Sequence, residues 1–354
     1  MKVRAGIIGT SGSLMAEGWA AVFGAEGTGF QVVGNASLGS SHAAMLPYRL
    51  PLLDDVAMDV LIVDLCVNEQ RALNRNLHDP AQTRALFDWL RGWCADRGIL
   101  PVVLILPHVT AEGLRASAVR DHWAGMCRAA GLPFLDGYRL LRLAGLLGDR
   151  PPRHFMAGQN HLNPRGARLM GEVLAATLAR FLLAAQTGAE TAPAHAFRHL
   201  YLGGTVARAS SLLTERVARL GLGDSLAADI GPDHRVEGLV LNMAATTGAL
   251  VIAGQGMRVK RLDSPHARPD AAPLIVCWSL LDPIEGQDGR AILSVQPARD
   301  MAGQEENDHC TPGPAPAVTE PVVELAGLVL RGPAAPRRLA TASGCDPDLI
   351  GLLD

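Results

Sequence analysis

The sequence predicts an α/β protein in two parts: a parallel sheet covered on both sides by helices, followed by a mostly β second domain. Three observations lead to this prediction. Apolar strand-length runs alternate with helix-length segments through the first half of the chain. That alternation stops near Gln186. Beyond it, short apolar runs are separated by glycine, aspartate and proline, which is typical of a sandwich or partial barrel.

The first strand is predicted over residues 3–8, and it breaks at Gly9-Thr10-Ser11-Gly12 before a short helix over residues 14–23. The later strands of this half are predicted over residues 30–33, 60–63, 101–106 and 133–135. The helices between and after them are predicted over residues 81–95, 111–130 and 138–147, with Thr110 as the N-cap of the second. Right-handed crossovers would then bring the carboxyl ends of the strands to one edge of the sheet.

The last helix of the first half carries the clearest helical signals. Asn163 fits its N-cap and Pro164 its first position. Apolar and small side chains then recur at the spacing of one buried face, at Met170, Val173, Leu174, Thr177, Leu178 and Phe181.

A length of 354 residues favours two domains. We place an α/β domain at residues 1–186, a linker at 187–196 and a mostly β accessory domain at 197–354. Strands of the second domain are predicted over residues 236–243, 250–253, 274–278, 292–295 and 327–330. This domain could bind glycan, cover the site of the first domain or mediate oligomerisation.

The composition excludes several classes of function. A net charge of −3 gives no reason to expect nucleic acid or an anionic membrane as a partner. Six cysteines lie far apart without a CxxC pair, so reduced, buried thiols are expected rather than zinc or disulfides. Because no signal peptide and no apolar run of membrane-spanning length is visible, we expect a cytoplasmic location.

Ser11 is the candidate nucleophile because a serine at a sharp strand-to-helix turn has an exposed hydroxyl next to helix-terminal N–H donors. A glycine-rich connection with capping serines, or a phosphate-binding loop, remains an alternative. The neighbouring Ser13 is expected to cap the following helix. A dinucleotide site is not predicted, since Gly6, Gly9 and Gly12 lack the G-x-G-x-x-G spacing.

Acyl transfer also needs a base and N–H donors for the oxyanion, and residues of these types follow the later predicted elements. His161 precedes the last helix and would take the proton of Ser11. The backbone N–H groups of Ser11 and Gly39, with the side-chain amide of Asn68, would form an oxyanion hole. Ser41 and His42 lie close enough to Gly39 in sequence to touch a substrate. This chemistry needs no metal and no organic cofactor.

The order Ser11, Gly39, Asn68, His161 resembles that of the SGNH (GDSL-type) hydrolases. Gly9-Thr10-Ser11 stands where that family has Gly-Asp-Ser, and Cys66-Val67-Asn68-Glu69 where it has Gly-x-Asn-Asp. His161-Leu162-Asn163 matches its last motif. The resemblance covers about residues 1–185 and implies a flavodoxin-like three-layer fold with ester hydrolysis through an acyl-serine.

One departure from the family pattern concerns the acid that orients the histidine. The family usually has an aspartate three residues before the histidine, and here that position is Gly158. A Ser-His dyad could operate alone, or a distant acid such as Asp136 or Asp149 could serve, or the site could be weakened or inactive.

The predicted function is therefore a serine esterase acting on a small-molecule or glycan ester, with an O-acetyl group on a carbohydrate suggested by analogy of fold. An O-acyltransferase using the same serine and histidine is one alternative. A non-catalytic binding protein with a degenerate site is another, and the oligomeric state is not predicted.

Overall fold

The computed structural model describes residues 2–73, 77, 79–110, 113–114, 117–147, 152–210, 213–263, 272–297 and 320–353. The strands of the first half are β1 (Val3–Gly9), β2 (Phe30–Asn35), β3 (Val60–Asp64), β4 (Leu100–Ile105), β5 (Val109–Thr110), β6 (Gly113–Leu114) and β7 (Phe134–Asp136). Five of them form a parallel sheet in the order β2-β1-β3-β4-β7. The predicted parallel α/β arrangement is confirmed.

The described helices of the first half are α1 (Trp19–Phe23), α2 (Leu46–Arg49), α3 (Cys66–Leu73), α4 (Pro80–Ala95), α5 (Ala118–Ala130), α6 (Gly137–Leu147) and α7 (Pro164–Ala184). Helix α7 confirms the prediction, because the Asn163 side chain accepts a hydrogen bond from the Gly166 N–H and caps it.

Two predicted helix starts are wrong. Thr110 is not an N-cap but lies in β5, and α5 begins only after Ser117, whose hydroxyl accepts from the Arg120 N–H. Helix α1 begins at Trp19 rather than at residue 14, because the chain first makes a separate 3₁₀ turn over Ser11–Ser13. Local capping signals at Thr110 and Ser117 are equivalent in sequence, and only tertiary packing selects between them.

The strands of the second half are β8 (Gln186–Tyr201), β9 (Val206–Ala209), β10 (Thr214–Gly221), β11 (Ser225–Asp229), β12 (Arg235–Asn242), β13 (Ala249–Gly254), β14 (Gly256–Arg261), β15 (Ile275–Glu285), β16 (Arg290–Gln296) and β17 (Val322–Ser343). They form one antiparallel sheet in the order β15-β12-β17-β10-β9, with β8 also paired to β17, and a second in the order β11-β16-β13-β14. A shared apolar core lies between the two sheets. The predicted mostly β, sandwich-like second part is confirmed.

The larger antiparallel sheet also packs against the first half. In β12, Leu239 and Leu241 join the core between the two sheets, whereas Val240 joins the core of the α/β half. Both faces of this strand are therefore buried, which explains why it is a continuous apolar run in the sequence.

The prediction of a linker over residues 187–196 is wrong. They form the first part of β8 and pair in antiparallel register with residues 334–342 of β17. Alanine, glycine, threonine and proline favour a linker when taken alone. Here the strand exists because a distant segment supplies its hydrogen-bond partners.

The sheet order of the first half determines where a site can form. Because β2 lies on one side of β1 and β3 on the other, the strand order reverses next to β1, and ligands of such sheets bind at the carboxyl ends there. The turn after β1 and the start of α3 after β3 both lie at this point. No helix of the described residues is long and apolar enough to cross a membrane.

Candidate active site

Ser11 opens a tight 3₁₀ turn directly after β1. The turn is closed by hydrogen bonds from the Ser13 N–H to the Thr10 carbonyl, 3.1 Å, and from the Leu14 N–H to the Ser11 carbonyl, 3.1 Å. Ser11 is half-buried, so its hydroxyl lies at the surface of the sheet edge and not inside the core. The structure therefore places Ser11 in a sharp turn at the end of β1, as the sequence predicts.

Asp64, the last residue of β3, stabilises this turn by a hydrogen bond. Its carboxylate accepts a hydrogen bond of 2.8 Å from the Ser13 hydroxyl, and both side chains are buried. The prediction that Ser13 caps the following helix is therefore wrong, because its hydroxyl donates to Asp64 instead. Burial raises the pKa of Asp64 to about 7, because it disfavours the charged form. A Cβ at Gly9 would collide with Ser13 and Asp64, so glycine is required where the turn leaves the strand.

His161 lies within hydrogen-bonding distance of the predicted nucleophile. Its Nε2 is 2.8 Å from the Ser11 hydroxyl oxygen, which is the separation that a general base requires. Its loop is closed by hydrogen bonds from the Ala157 N–H to the His161 carbonyl, 2.8 Å, and from the Asn163 N–H to the Phe155 carbonyl, 3.0 Å. Two residues 150 positions apart are thus brought into contact.

The loop of His161 is also tied to the end of β4. The Val109 N–H donates to the Gln159 carbonyl at 2.8 Å, and the His108 Nδ1 lies 2.5 Å from the Asn160 side-chain oxygen. His108, which the sequence places at the same sheet edge, is therefore engaged in supporting this loop.

Gly39 lies beside Ser11 because the chain after β2 continues along β1. The Ala36 N–H donates to Ile7, 2.8 Å, and the Leu38 N–H to Gly9, 2.9 Å. A Cβ at Gly39 would meet only the Cβ of Ser11, at 3.7 Å, so the space on its other sides is open. This opening is where an ester could approach the hydroxyl.

The predicted oxyanion hole consists of three N–H donors. The backbone N–H groups of Ser11 and Gly39 have no acceptor within the part of the chain that the structure describes. Asn68 lies in the first turn of α3, and its amide donates one N–H to the Ser41 carbonyl at 3.0 Å. An amide nitrogen carries two hydrogens, so a second N–H of Asn68 remains. Free donors of this kind are what an oxyanion hole requires.

Of the two candidate orienting acids, Asp136 does not hydrogen-bond to His161. Asp136 instead accepts hydrogen bonds from Arg120, at 2.9 and 2.5 Å, and from two backbone N–H groups. Asp149 lies outside the described residues. No carboxylate of the described ranges hydrogen-bonds to His161, and the position of Gly158 is open, since a Cβ there meets no atom within 4 Å.

The residues around the donors are structural. Glu69 is buried and accepts hydrogen bonds from Trp123, 2.7 Å, Thr83, 3.2 Å, and the Ala43 N–H, 3.3 Å. Ser41 and His42, which the sequence places close to Gly39, are buried, at 0% and 5% exposed. No sequence signal marks Glu69 or Ser41 as supports, because each bonds to residues far along the chain.

The described residues contain no group of three histidine, cysteine or acidic side chains placed to hold a metal ion. The five described cysteines are free, and burial raises the pKa of the Cys66 thiol well above its usual range, which keeps it protonated.

No protein-family model matches the sequence, and no curated protein is similar to it. Among solved structures, the chain is similar to a two-domain esterase (CEX) active on acetylated mannans, with 12% identity over 94% of this chain and 91% of that one and a TM-score of 0.60. The same esterase co-crystallized with mannopentaose gives 11% identity, coverage of 94% and 92%, and a TM-score of 0.61. The chain therefore shares the two-part fold of that esterase.

Proposed function

We propose that the protein is a serine esterase that removes acetyl groups from a carbohydrate through an acyl-Ser11 intermediate. The observation that carries this proposal is the 2.8 Å contact between the Ser11 hydroxyl and the His161 Nε2 at the switch point of the sheet. The N–H groups of Ser11 and Gly39 beside it, which have no acceptor among the described residues, support an acyl-transfer reaction rather than phosphate binding alone.

The geometry supports a two-step reaction. The Ser11 oxygen attacks the ester carbonyl while the His161 Nε2 takes the hydroxyl proton. The oxyanion accepts hydrogen bonds from the N–H groups of Ser11 and Gly39 and from the amide of Asn68. The sugar alcohol leaves with the proton from His161. Water, deprotonated by His161, then attacks the acyl group and releases acetate and free Ser11.

The carbohydrate assignment is supported by similarity of fold over both halves of the chain. The structure that the chain resembles along 94% of its length is of an esterase active on acetylated mannans. Similarity of this kind indicates an ester class and not a specific glycan.

Release of acetate from acetylated manno-oligosaccharides tests the proposal. We expect turnover by the wild type and its loss in Ser11→Ala and His161→Ala. Ser37→Ala is the matched control, because Ser37 is a buried serine nearby whose hydroxyl has no partner among the described residues. Loss of activity in the control, or full activity in Ser11→Ala, would contradict the proposal. Transfer of the acetyl group to an added glycan acceptor would instead identify an acyltransferase.

One observation favours a second candidate, a glycan-binding protein without catalysis. Within the described ranges, no carboxylate orients the His161 ring, and Gly158 occupies the position of the family's aspartate. Wild-type protein that binds the oligosaccharide in calorimetry but releases no acetate would support this candidate and exclude the esterase.

A further inference from the structure

The loop that carries Gly39 is bound to the antiparallel half of the protein. The Cys277 N–H donates to the Ser41 hydroxyl at 2.9 Å, and the His42 N–H donates to the Cys277 carbonyl at 3.1 Å. Cys277 belongs to β15, which is the edge strand of its sheet. Edge strands have backbone groups without a neighbouring strand, and this loop satisfies those of Cys277.

Ser41 connects that edge strand to two of the predicted oxyanion donors. Its hydroxyl donates to the Gly39 carbonyl at 3.2 Å while accepting from Cys277. Its own carbonyl accepts the hydrogen bond from the Asn68 amide at 3.0 Å. Ser41 is 0% exposed, so its contacts are with other groups of the protein and not with solvent. Ser41 thus holds the backbone of Gly39, which carries one of the predicted donors, and the side-chain rotamer of Asn68, which carries another.

Ser40, the residue before Ser41, has an unfavourable backbone conformation that its contacts with β15 stabilise. Ser40 has φ +56°, in the left-handed region that residues with a side chain rarely occupy. Its carbonyl accepts a hydrogen bond of 3.1 Å from the indole N–H of Trp278, also in β15. Strained backbone of this kind persists where the surrounding structure determines it, and here β15 does so.

The tryptophans of the chain offer no exposed indole ring on which a sugar could stack. All five tryptophans are described, and each is at most 9% exposed. Trp278 itself is 0% exposed and uses its indole N–H for the Ser40 carbonyl.

We propose that Ser41 is a positioning residue through which strand β15 of the antiparallel half holds the oxyanion hole in place. This inference rests on the proposed esterase function. It gives the second half a part in catalysis through the backbone of residues 39–42.

The test compares Ser41→Ala, which removes both hydroxyl bonds, with Ser41→Thr, which keeps them. Tyr48→Phe is the matched control, because it removes a different bond between the two halves, the 2.6 Å bond from Tyr48 to Glu215, and leaves residues 39–42 unchanged. We expect kcat on an acetyl ester to fall about 10- to 100-fold in Ser41→Ala with KM nearly unchanged, because the donors act mainly in the transition state. Ser41→Thr and Tyr48→Phe should retain kcat.

Thermal melting shows that each variant is folded before its kinetics are compared. Wild-type kcat in Ser41→Ala, or an equal loss in Tyr48→Phe, would overturn the proposal, since the effect would then be absent or common to any weakening of the interface. If the wild type hydrolyses no acetyl ester, the esterase assignment fails. In that case the rate at which a fluorophosphonate labels Ser11 decides: slower labelling in Ser41→Ala supports the positioning role, and equal labelling contradicts it.

Discussion

Replacing Gly158 by aspartate is expected to raise the proposed esterase activity. Within the described ranges, no carboxylate hydrogen-bonds to His161, and position 158 lies three residues before it, where SGNH hydrolases carry an aspartate. A Cβ at Gly158 meets no atom within 4 Å, and the backbone there is not left-handed, so a side chain fits without strain. The substitution therefore introduces a carboxyl group three residues before His161 without disturbing the packing.

The size of the gain follows from the surroundings of position 158. A hydrogen bond to a charged group contributes about 1.5 to 3 kcal/mol, which corresponds to about 10- to 100-fold in rate. Gly158 is exposed, and water screens charges at the surface. We therefore expect the lower end, about 10-fold in kcat.

Hydrolysis of p-nitrophenyl acetate by the wild type, Gly158→Asp and Gly158→Asn measures this effect. The asparagine variant has nearly the same shape without the charge and controls for any change in the loop. A kcat of Gly158→Asp that is indistinguishable from that of Gly158→Asn would refute the reasoning that an orienting carboxylate is what this site lacks.

Three further predictions concern the supports of the site. The pKa of Asp64 is raised to about 7 from 3.8, so its proton is bound more strongly in the folded state than in the unfolded state. The free energy of unfolding should therefore fall as pH rises between these two values, by up to about 4 kcal/mol. Asp64→Asn should remove this fall in urea unfolding measured from pH 4 to pH 8. An unchanged slope would show that another group titrates. Glu69→Ala leaves buried donors on Ala43, Thr83 and Trp123 without their acceptor and should lower the free energy of unfolding by about 3 kcal/mol in urea, whereas Glu69→Gln keeps an acceptor oxygen and should lose less. Gly39→Ala should unfold within about 0.5 kcal/mol of the wild type, since its Cβ contacts only Ser11 at 3.7 Å, but should raise KM because the methyl group enters the open space beside the hydroxyl.

The sequence was sufficient to predict the parts of the fold that depend on local signals. Glycines at the end of an apolar run predicted the turn of Ser11, and the asparagine and proline at residues 163 and 164 predicted the start of α7. The alternation of elements predicted a parallel sheet and the handedness of crossovers a common carboxyl edge, whereas the strand order β2-β1-β3-β4-β7 comes from the structure. The positions of Ser11, Gly39, Asn68 and His161 at one sheet edge are consequences of that order.

The remaining features depend on contacts between residues far apart in the chain. The first part of β8 has the composition of a linker, and it is a strand only because residues 334–342 pair with it. Asp136 lay near His161 in sequence, but Arg120 binds it instead. The supporting role of Ser41 arises from Cys277, 236 positions away, and no local pattern records such a bond.

Covalent labelling of Ser11 tests the central claim most directly. The wild type, His161→Ala and Ser11→Ala are treated with a fluorophosphonate, digested, and mapped by mass spectrometry to the modified residue. The proposed mechanism predicts modification at Ser11 in the wild type, much slower modification in His161→Ala because the base is absent, and none in Ser11→Ala. Modification of another residue, or equal modification of wild type and Ser11→Ala, would contradict the assignment of Ser11 as the nucleophile.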